Sequence, residues 1–199
     1  PRLKGVDRYI SNSDFTAKKF GDEFGIVSEV IPPIIEHERY ACDGRGEYVT
    51  FINPIEKKGL HIAAALAEEF PQIPFLFVRS WDLSAEQDRK LDEACRGRAN
   101  ISVVQPTSDM RKIYRKTKIL IAPSQWAEAW GRVASEAQCS GIPVLGSHIG
   151  GLTEAIGPGG ITLPSTAPVR EWAEALGRLL KNEDMYRSLS ASAFRHAQR

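Results

Sequence analysis

The chain has 199 residues, of which 42% are hydrophobic and 26% charged, as in a globular protein of one domain or one domain with part of a second. Its 26 basic and 25 acidic residues leave a formal net charge of +1, which argues against a general nucleic-acid binder and a polybasic membrane clamp. No apolar run approaches the roughly 18 residues that span a bilayer. The three cysteines are widely spaced and no signal-peptide pattern is present, so a reducing, cytoplasmic location is predicted.

The first 46 residues do not share the pattern of the rest. A predicted strand ends at Ile10, and Ser13 caps a predicted helix that runs to Phe24. An extended stretch with two adjacent prolines follows, where helix is disfavoured. The pattern therefore divides the chain into three parts, namely 1–46 as the end of a preceding domain with a linker, 47–164 as an α/β domain, and 165–199 as C-terminal helices.

From Glu47 onward, short apolar runs rich in Val, Ile and Phe alternate with longer segments of helical period. Such continuous runs are typical of strands buried on both faces of a sheet. The predicted strands are 48–52, 75–78, 101–104, 118–122, 143–146 and 161–163. Between them, Ser84 and Gln87 form a predicted capping box at the start of a charged helix. The alternation predicts an α/β fold, a doubly wound parallel six-stranded Rossmann-like sheet.

Several other features have unremarkable interpretations. The basic segment 109–118, with Ile113 and Tyr114 on one side, predicts an amphipathic helix with a solvated basic face. Trp126 either packs under a ligand-binding loop or fills the core. The four histidines are scattered, so no metal site is predicted.

The most informative window surrounds the fourth predicted strand. After this strand, a loop carries Glu128 and a helix begins near Gly131. The backbone N–H groups of Gly131, Arg132 and Val133 would form a natural anion site at the helix N-terminus. Glu136 lies little more than one turn into this helix, near the carboxyl ends of the strands, where ligands of open α/β sheets bind. The alternative is a strand–loop–helix connection whose glutamates are merely solvated.

A second window follows the first strand of the sheet. Lys58, just before Gly59, is placed to bind a phosphate as a compact cation. The alternative is a surface lysine pair in front of a turn glycine.

Together the two windows resemble the nucleotide-sugar-binding C-terminal domain of the retaining glycosyltransferases of family 4, which have the GT-B fold. The resemblance runs from about Val49 to Pro164. Its pieces in chain order are Lys58-Gly59, then Glu128 and Glu136 with seven residues between them, then the sequence Gly-Ile-Pro-Val that leads into the fifth strand, and finally Gly150-Gly151 followed by Glu154. The pair of glutamates alone is a weak signal, whereas the pieces in this order are specific.

The resemblance implies transfer of a hexosyl group from a nucleotide sugar, with retention, to a glycan, lipid-linked or small-molecule acceptor. It implies that Glu136 accepts hydrogen bonds from the donor ribose, and that Glu128 contacts hydroxyls of the transferred sugar. Backbone N–H groups from Trp130 to Val133 would hold the sugar and diphosphate, and Lys58 would neutralise the diphosphate. Glu128 and Lys58 are the expected catalytic residues, with no cofactor beyond the donor.

One departure from the family pattern concerns charge. The family has an Arg five positions before the Lys, and this position is Asn53 here, a candidate substrate-binding residue. Arg79, after the next strand, is a candidate replacement for the missing charge.

The resemblance also implies a two-domain enzyme, so these residues alone are expected to bind donor without transferring sugar. Its own N-terminal domain, which would carry the acceptor and end within 1–46, is the expected partner, and any peripheral membrane contact would be made through that domain. The alternatives are a non-catalytic nucleotide-binding or interaction domain, or a related epimerase or phosphorylase.

Overall fold

The computed structural model describes residues 5–43 and 46–198. This part of the chain opens with a small two-stranded parallel unit followed by one helical turn. Its elements are β1 (Ile10–Ser11), α1 (Asp14–Phe24), β2 (Glu29–Val30) and α2 (His37–Tyr40). Ser13 caps α1, as predicted, because its hydroxyl accepts a hydrogen bond from the amide of Thr16 at 3.0 Å.

The main sheet has six parallel strands. They are β3 (Tyr48–Ile52), β4 (Phe75–Val78), β5 (Ile101–Val104), β6 (Thr117–Ala122), β7 (Val144–Ser147) and β8 (Gly160–Leu163). Their spatial order is β5-β4-β3-β6-β7-β8, so the winding direction reverses between β3 and β6. This order confirms the predicted doubly wound, Rossmann-like sheet.

Helices cover both faces of the main sheet. They are α3 (Leu60–Glu69), α4 (Ala85–Cys95), α5 (Arg111–Tyr114), α6 (Arg132–Gln138), α7 (Leu152–Ile156), α8 (Val169–Lys181) and α9 (Glu183–His196), with short 3-10 helices at Glu56–Lys58 and Gly157–Gly159. The capping box before α4 is confirmed, since Ser84 and Gln87 exchange side-chain-to-backbone hydrogen bonds. Among the described residues, no helix combines the length and the apolar character that crossing a bilayer requires.

The core lies on both sides of the sheet because alternate strand residues point to opposite faces. On one face, Val49 and Phe51 of β3 belong to a cluster with α3 and α8, in which Trp172 is fully buried. On the other face, Ile52 belongs to a cluster with α6 and α7, including Leu152. Burial on both faces explains why the strands have continuous apolar sequences.

The prediction of a helix over 109–118 is wrong in extent, because α5 covers only Arg111–Tyr114. The chain enters β6 at Thr117, whose hydroxyl donates to the carbonyl of Ile113 at 2.9 Å. The same hydroxyl lies 2.7 Å from that of Thr50 in the neighbouring strand. Pairing with β3 therefore ends the helix at Tyr114, although the amphipathic pattern of the sequence continues to residue 118.

Glu154 joins the small unit to the main sheet domain. Its carboxylate accepts hydrogen bonds from the amides of Asp14 at 2.8 Å and Phe15 at 2.9 Å, in the first turn of α1. These amides have no acceptor within their own helix, and a carboxylate also complements the positive end of the helix dipole. The first turn of α1 is thus held by a residue far along the chain.

Gly59 allows the loop after β3 to touch the loop after β6. Its φ of 88° lies in the left-handed region that favours glycine. A Cβ at this position would collide with the carbonyl oxygen of Pro123. The amide of Gln125 also donates to the carbonyl of Lys57 at 2.8 Å, which joins the two loops by a backbone hydrogen bond.

We expect Gly59→Ala to destabilise the fold more than Gly97→Ala, which serves as the matched control. Gly97 has a similar φ of 75° but no atom within 4 Å of the position of a Cβ. The control should therefore lose only the strain of a left-handed residue, about 1–2 kcal/mol. Gly59→Ala should lose a further ~1–3 kcal/mol from overpacking. Urea unfolding of both variants measures the difference, and equal losses would contradict the role given to Gly59.

Candidate functional site

The candidate site lies where the winding direction of the main sheet reverses. The loops that follow β3 and β6 leave neighbouring strands at their carboxyl ends, and α3 and α6 then run to opposite faces of the sheet. This divergence leaves a crevice, the usual ligand position in open α/β sheets. The sequence-predicted site residues lie on these two loops and on the first turns that follow them.

Lys58 and Glu128 form an ion pair across the crevice. The Lys58 Nζ lies 2.7 Å from the Glu128 Oε2, and the two side chains are only 18% and 13% exposed. The loop of Glu128 is in turn held by the turn after β7, because the amide of Gly151 donates to the Glu128 carbonyl at 2.7 Å. The structure therefore brings the two predicted catalytic residues into direct contact.

Trp126 lies on the solvent side of this ion pair. Its side chain is 49% exposed, so the interpretation that it fills the core is wrong. The Nζ atoms of Lys57 and Lys58 lie 5.8 and 5.6 Å from the centroid of its ring, within cation–π range. The indole thus lies beside both lysines of the loop that follows β3.

Glu136 is more deeply placed than Glu128. It is buried in the first turns of α6, and its Oε2 accepts a hydrogen bond from the Tyr114 hydroxyl at 2.9 Å. Its Oε1 lies 3.4 Å from the Nε of Arg132. Burial raises the pKa of the Glu136 carboxyl above its ordinary value, and the hydrogen bond from Tyr114 opposes this shift.

The residues that open α6 are fixed by packing. The indole Nε1 of Trp130 donates to the Ser135 hydroxyl at 3.0 Å, which turns the loop back onto the helix. Gly131 has a φ of 118°, which favours glycine, and a Cβ there would lie 2.6 Å from the Cδ1 of Leu152, so a larger residue would also displace this side chain of α7. Arg132 is exposed, and Val133 is half-buried. The amide of Ala134 donates the first hydrogen bond of this helix to the carbonyl of Gly131, at 2.9 Å.

Asn53 follows β3 directly and has an unusual backbone conformation. Its φ is 62°, which is rare for a residue other than glycine, and it is buried. Among the described residues, its side-chain Oδ1 has no hydrogen-bond partner. A buried amide oxygen without a partner is a site for a donor from a ligand or a water, and a residue held in this conformation is often functional.

Arg79 follows β4 at the same edge of the sheet. The register pairs Ile52 with Val78, so Asn53 and Arg79 are the next residues on adjacent strands. The Arg79 guanidinium donates to the Asp88 carboxylate at 2.5 Å, which offsets its charge. Its position is that of the predicted replacement cation, but a counter-ion already holds it.

Two tyrosines of this site were not predicted. The sequence pattern predicts an apolar side for Tyr114 and a position within 1–46 for Tyr40, yet the Tyr114 hydroxyl donates to Glu136 and the Tyr40 hydroxyl accepts from Arg132 at 3.3 Å. The one available signal was that a buried tyrosine needs a partner for its hydroxyl. No group of three or more His, Cys, Asp or Glu with metal-ligand geometry occurs in residues 5–43 and 46–198.

We expect the ion pair to couple its two members in the protein without ligand. A double-mutant cycle with Lys58→Met and Glu128→Gln, measured by urea unfolding, should give a coupling free energy of roughly 1–3 kcal/mol, because the pair is mostly shielded from water. The same cycle with Arg170→Met and Glu174→Gln is the control. That pair is 83% and 64% exposed and should couple much more weakly. Similar couplings would show that the crevice does not shield the Lys58–Glu128 pair.

Comparison with curated proteins identifies several relatives. The chain is 30% identical over 166 residues to a D-inositol 3-phosphate glycosyltransferase of Corynebacterium urealyticum, an alignment covering 76% of this chain and 39% of that protein. It is 38% identical over 94 residues to the enzyme of the same name from Nocardia farcinica, covering 47% of this chain and 21% of the relative. The matched region is thus less than half of either relative.

Solved structures share the fold. The Anabaena protein Alr3699/HepE, in a crystal structure with UDP-glucose, superposes with a TM-score of 0.86 at 18% identity, covering 97% of this chain and 59% of that chain. Sucrose-phosphate synthase from Thermosynechococcus elongatus gives a TM-score of 0.79 at 22% identity, covering 98% of this chain and 54% of that chain. Both likenesses are evidence about the fold.

The family model described as glycosyl transferases group 1 matches residues 36–196. This match includes the main sheet and every residue of the candidate site. It agrees with the names of the curated relatives and with the doubly wound sheet. The chain therefore belongs to the group 1 glycosyltransferases.

Proposed function

We propose that this chain binds a nucleoside-diphosphate sugar and is the donor-binding, C-terminal part of a retaining hexosyltransferase. The observation that carries the proposal is the Lys58–Glu128 ion pair at the carboxyl ends of β3 and β6. A cation suited to a diphosphate there adjoins a carboxylate suited to sugar hydroxyls. The Anabaena protein of the same fold, which was crystallised with UDP-glucose, adds support for a donor of this class.

The chemistry fits the charges of the site. In the transfer, the bond between the anomeric carbon and the phosphate oxygen breaks, and a bond from the acceptor oxygen to the same face of that carbon forms. The acceptor proton goes to the departing phosphate. A nucleoside diphosphate leaves readily, so stabilising its negative charge suffices, whereas a glycosidase needs a protonated carboxyl for its leaving group. Neither Glu128 nor Glu136 then has to act as a general acid.

Each site residue receives a role under this proposal. Lys58 stabilises the diphosphate, assisted by the backbone N–H groups of residues 130–133, and Glu128 binds hydroxyls of the transferred sugar. Glu136 accepts hydrogen bonds from the ribose hydroxyls. Asn53 carries no charge, and its Oδ1, which has no hydrogen-bond partner among the described residues, accepts a hydrogen bond from a ligand hydroxyl rather than binding a phosphate. The mechanism that we propose uses no metal and no cofactor.

The acceptor and the other half of the cleft are proposed to lie on a preceding domain. The curated relatives are more than twice as long as the matched region. In addition, large apolar side chains are exposed throughout the first unit: Val6, Ile10, Phe20, Phe24, Val27, Ile31 and Ile34. Apolar surface of this kind is typical of an interface. Closure of that domain would align the acceptor and exclude water, so residues 1–199 alone would bind donor without efficient transfer.

A cytoplasmic location is part of the proposal. All three cysteines are free, which is typical of a reducing compartment.

A second candidate is a nucleotide-binding domain without transferase activity. It is favoured by Asn53, because this residue, which follows β3, supplies no positive charge for a diphosphate. Arg79 does not replace that charge freely, because it is held by Asp88. A thermal-shift panel of UDP-, GDP-, ADP- and dTDP-sugars, each with its free nucleoside diphosphate, separates the two. Tighter binding of one sugar nucleotide than of its diphosphate supports the donor site, and no discrimination supports the second candidate.

We expect Lys58→Ala to weaken binding of the nucleoside diphosphate at least tenfold while leaving the nucleoside nearly unaffected. A charged hydrogen bond contributes roughly 1.5–3 kcal/mol, which corresponds to this loss. Lys57→Ala is the matched control because it removes the same charge from the same loop without touching Glu128. Calorimetric titrations in the presence of EDTA measure both. If Lys57→Ala loses as much affinity as Lys58→Ala, the effect is general electrostatics and the assignment fails.

We expect Glu136→Gln and Glu128→Gln to separate ribose binding from sugar binding. Glu136→Gln should weaken the nucleoside diphosphate and the nucleotide sugar by similar factors, because both ligands carry the ribose. Glu128→Gln should reduce the additional affinity that the sugar confers, because the carboxylate lies on the loop nearer the open crevice. Identical binding profiles of the two variants would show that this division of roles is wrong.

A further inference from the structure

Tyr114 is a polar side chain in an otherwise apolar setting. It is fully buried on α5, within the cluster that includes Ile52 and Leu152. Its hydroxyl donates to the Glu136 Oε2 at 2.9 Å. A buried hydroxyl is costly unless it is paired, so this bond specifies the position of both side chains.

The second oxygen of the Glu136 carboxylate is held by Arg132, which in turn bonds Tyr40 in the segment before the main sheet. The Nε of Arg132 lies 3.4 Å from the Glu136 Oε1, and the guanidinium of Arg132 donates to the Tyr40 hydroxyl at 3.3 Å. The rings of Tyr40 and Tyr114 meet edge to face, with their centroids 6.4 Å apart. Three elements, α2, α5 and α6, thus converge on a single carboxylate.

Burial makes these partners necessary. It raises the pKa of Glu136, whereas hydrogen bonds from Tyr114, Arg132 and Tyr40 lower it. The remaining titratable group beside the carboxylate is Cys139, whose pKa burial raises to about 11, so it stays a neutral thiol at pH 7. Without its donors, the carboxyl would take up a proton at higher pH and lose acceptor capacity.

The arrangement leaves acceptor capacity for a ligand. An ionised carboxylate has about four lone-pair sites. Tyr114 approaches one oxygen and Arg132 the other, so the carboxylate is fixed in orientation without being fully occupied. A pair of neighbouring hydroxyl groups, as on a ribose, offers donors that fit the remaining sites.

We propose that Tyr114 is a positioning residue for Glu136, and that its hydroxyl, together with the Arg132–Tyr40 pair, holds the carboxylate oriented and charged for the ribose hydroxyls. This inference rests on the ribose role of Glu136 in the proposed function. It adds that selectivity for a ribose over a deoxyribose depends on Tyr114, which is buried and touches no ligand, and on Tyr40.

The test compares Tyr114→Phe with Tyr186→Phe. The control also removes a buried tyrosine hydroxyl, one that donates to the carbonyl of Lys118 at 3.0 Å, outside the site. The probes are UDP and 2′-deoxy-UDP, or the corresponding pair for whichever base the panel selects. Binding is titrated between pH 4.5 and 8 on the full chain, and urea unfolding verifies that each variant is folded. Tyr40→Phe and Glu136→Gln complete the set.

We expect Tyr114→Phe to bind the ribonucleotide roughly tenfold more weakly and to lose most of the preference over the deoxy form, with Tyr186→Phe unchanged. The acid limb of the binding profile should move to higher pH, because a donor to the charged carboxylate has been removed and the pKa of Glu136 rises. Tyr40→Phe should move the acid limb in the same direction by a smaller amount.

The outcomes distinguish this inference from the proposed function. If Glu136→Gln removes the preference for the ribonucleotide but Tyr114→Phe behaves as wild type, the ribose role stands and the positioning role is wrong. If Glu136→Gln has no effect, the ribose role itself fails. If Tyr114→Phe and Tyr186→Phe lose affinity equally with no shift of the pH profile, the effect of Tyr114 is on general stability and the inference is overturned.

Discussion

The candidate site depends on the close approach of two backbone loops where the sheet reverses its winding direction. Gly59 has no side chain to hold the loops apart, and the amide of Gln125 is bonded to the carbonyl of Lys57. This contact brings Lys58 within 2.7 Å of Glu128, although their helices run to opposite faces of the sheet. A single additional Cβ between the loops would separate the charges on which the proposed chemistry rests.

Two glutamates on one strand–loop–helix segment occupy different electrostatic settings. Glu128 is neutralised by Lys58 at the edge of the crevice, whereas Glu136 is buried and has its pKa raised. The difference comes from their surroundings, since both side chains are chemically the same. A carboxylate in contact with a cation suits a position beside a diphosphate, and a carboxylate fixed by hydroxyl donors suits recognition of a diol.

The small N-terminal unit contacts the main sheet domain through hydrogen bonds, and several of its apolar side chains are exposed to solvent. Glu154 caps the start of α1, and the buried Ser13 lies against the turn at Gly151. Among its exposed apolar residues, Ile10 lies on β1, Phe20 and Phe24 lie on α1, and the others lie on the segments beside these elements and β2. Its anchoring and its open surface fit the junction that we propose between a donor-binding part and a preceding domain.

Features that depend on neighbours in sequence were predictable from the sequence. The six strands are recognisable because burial on both faces requires continuous apolar runs, and the Ser84–Gln87 box because a helix cap is local. The family resemblance further supplied Lys58, Glu128 and Glu136 as candidates. Tertiary structure decided the rest: α5 ends early because Thr117 pairs with β3, and Lys58 meets Glu128 because Gly59 permits close packing. Tyr114 finds its partner 22 residues away, on another helix, and the buried oxygen of Asn53 is left without one among the described residues. Local patterns determine which elements form, whereas the partner of a buried polar atom is determined only when distant elements are packed together.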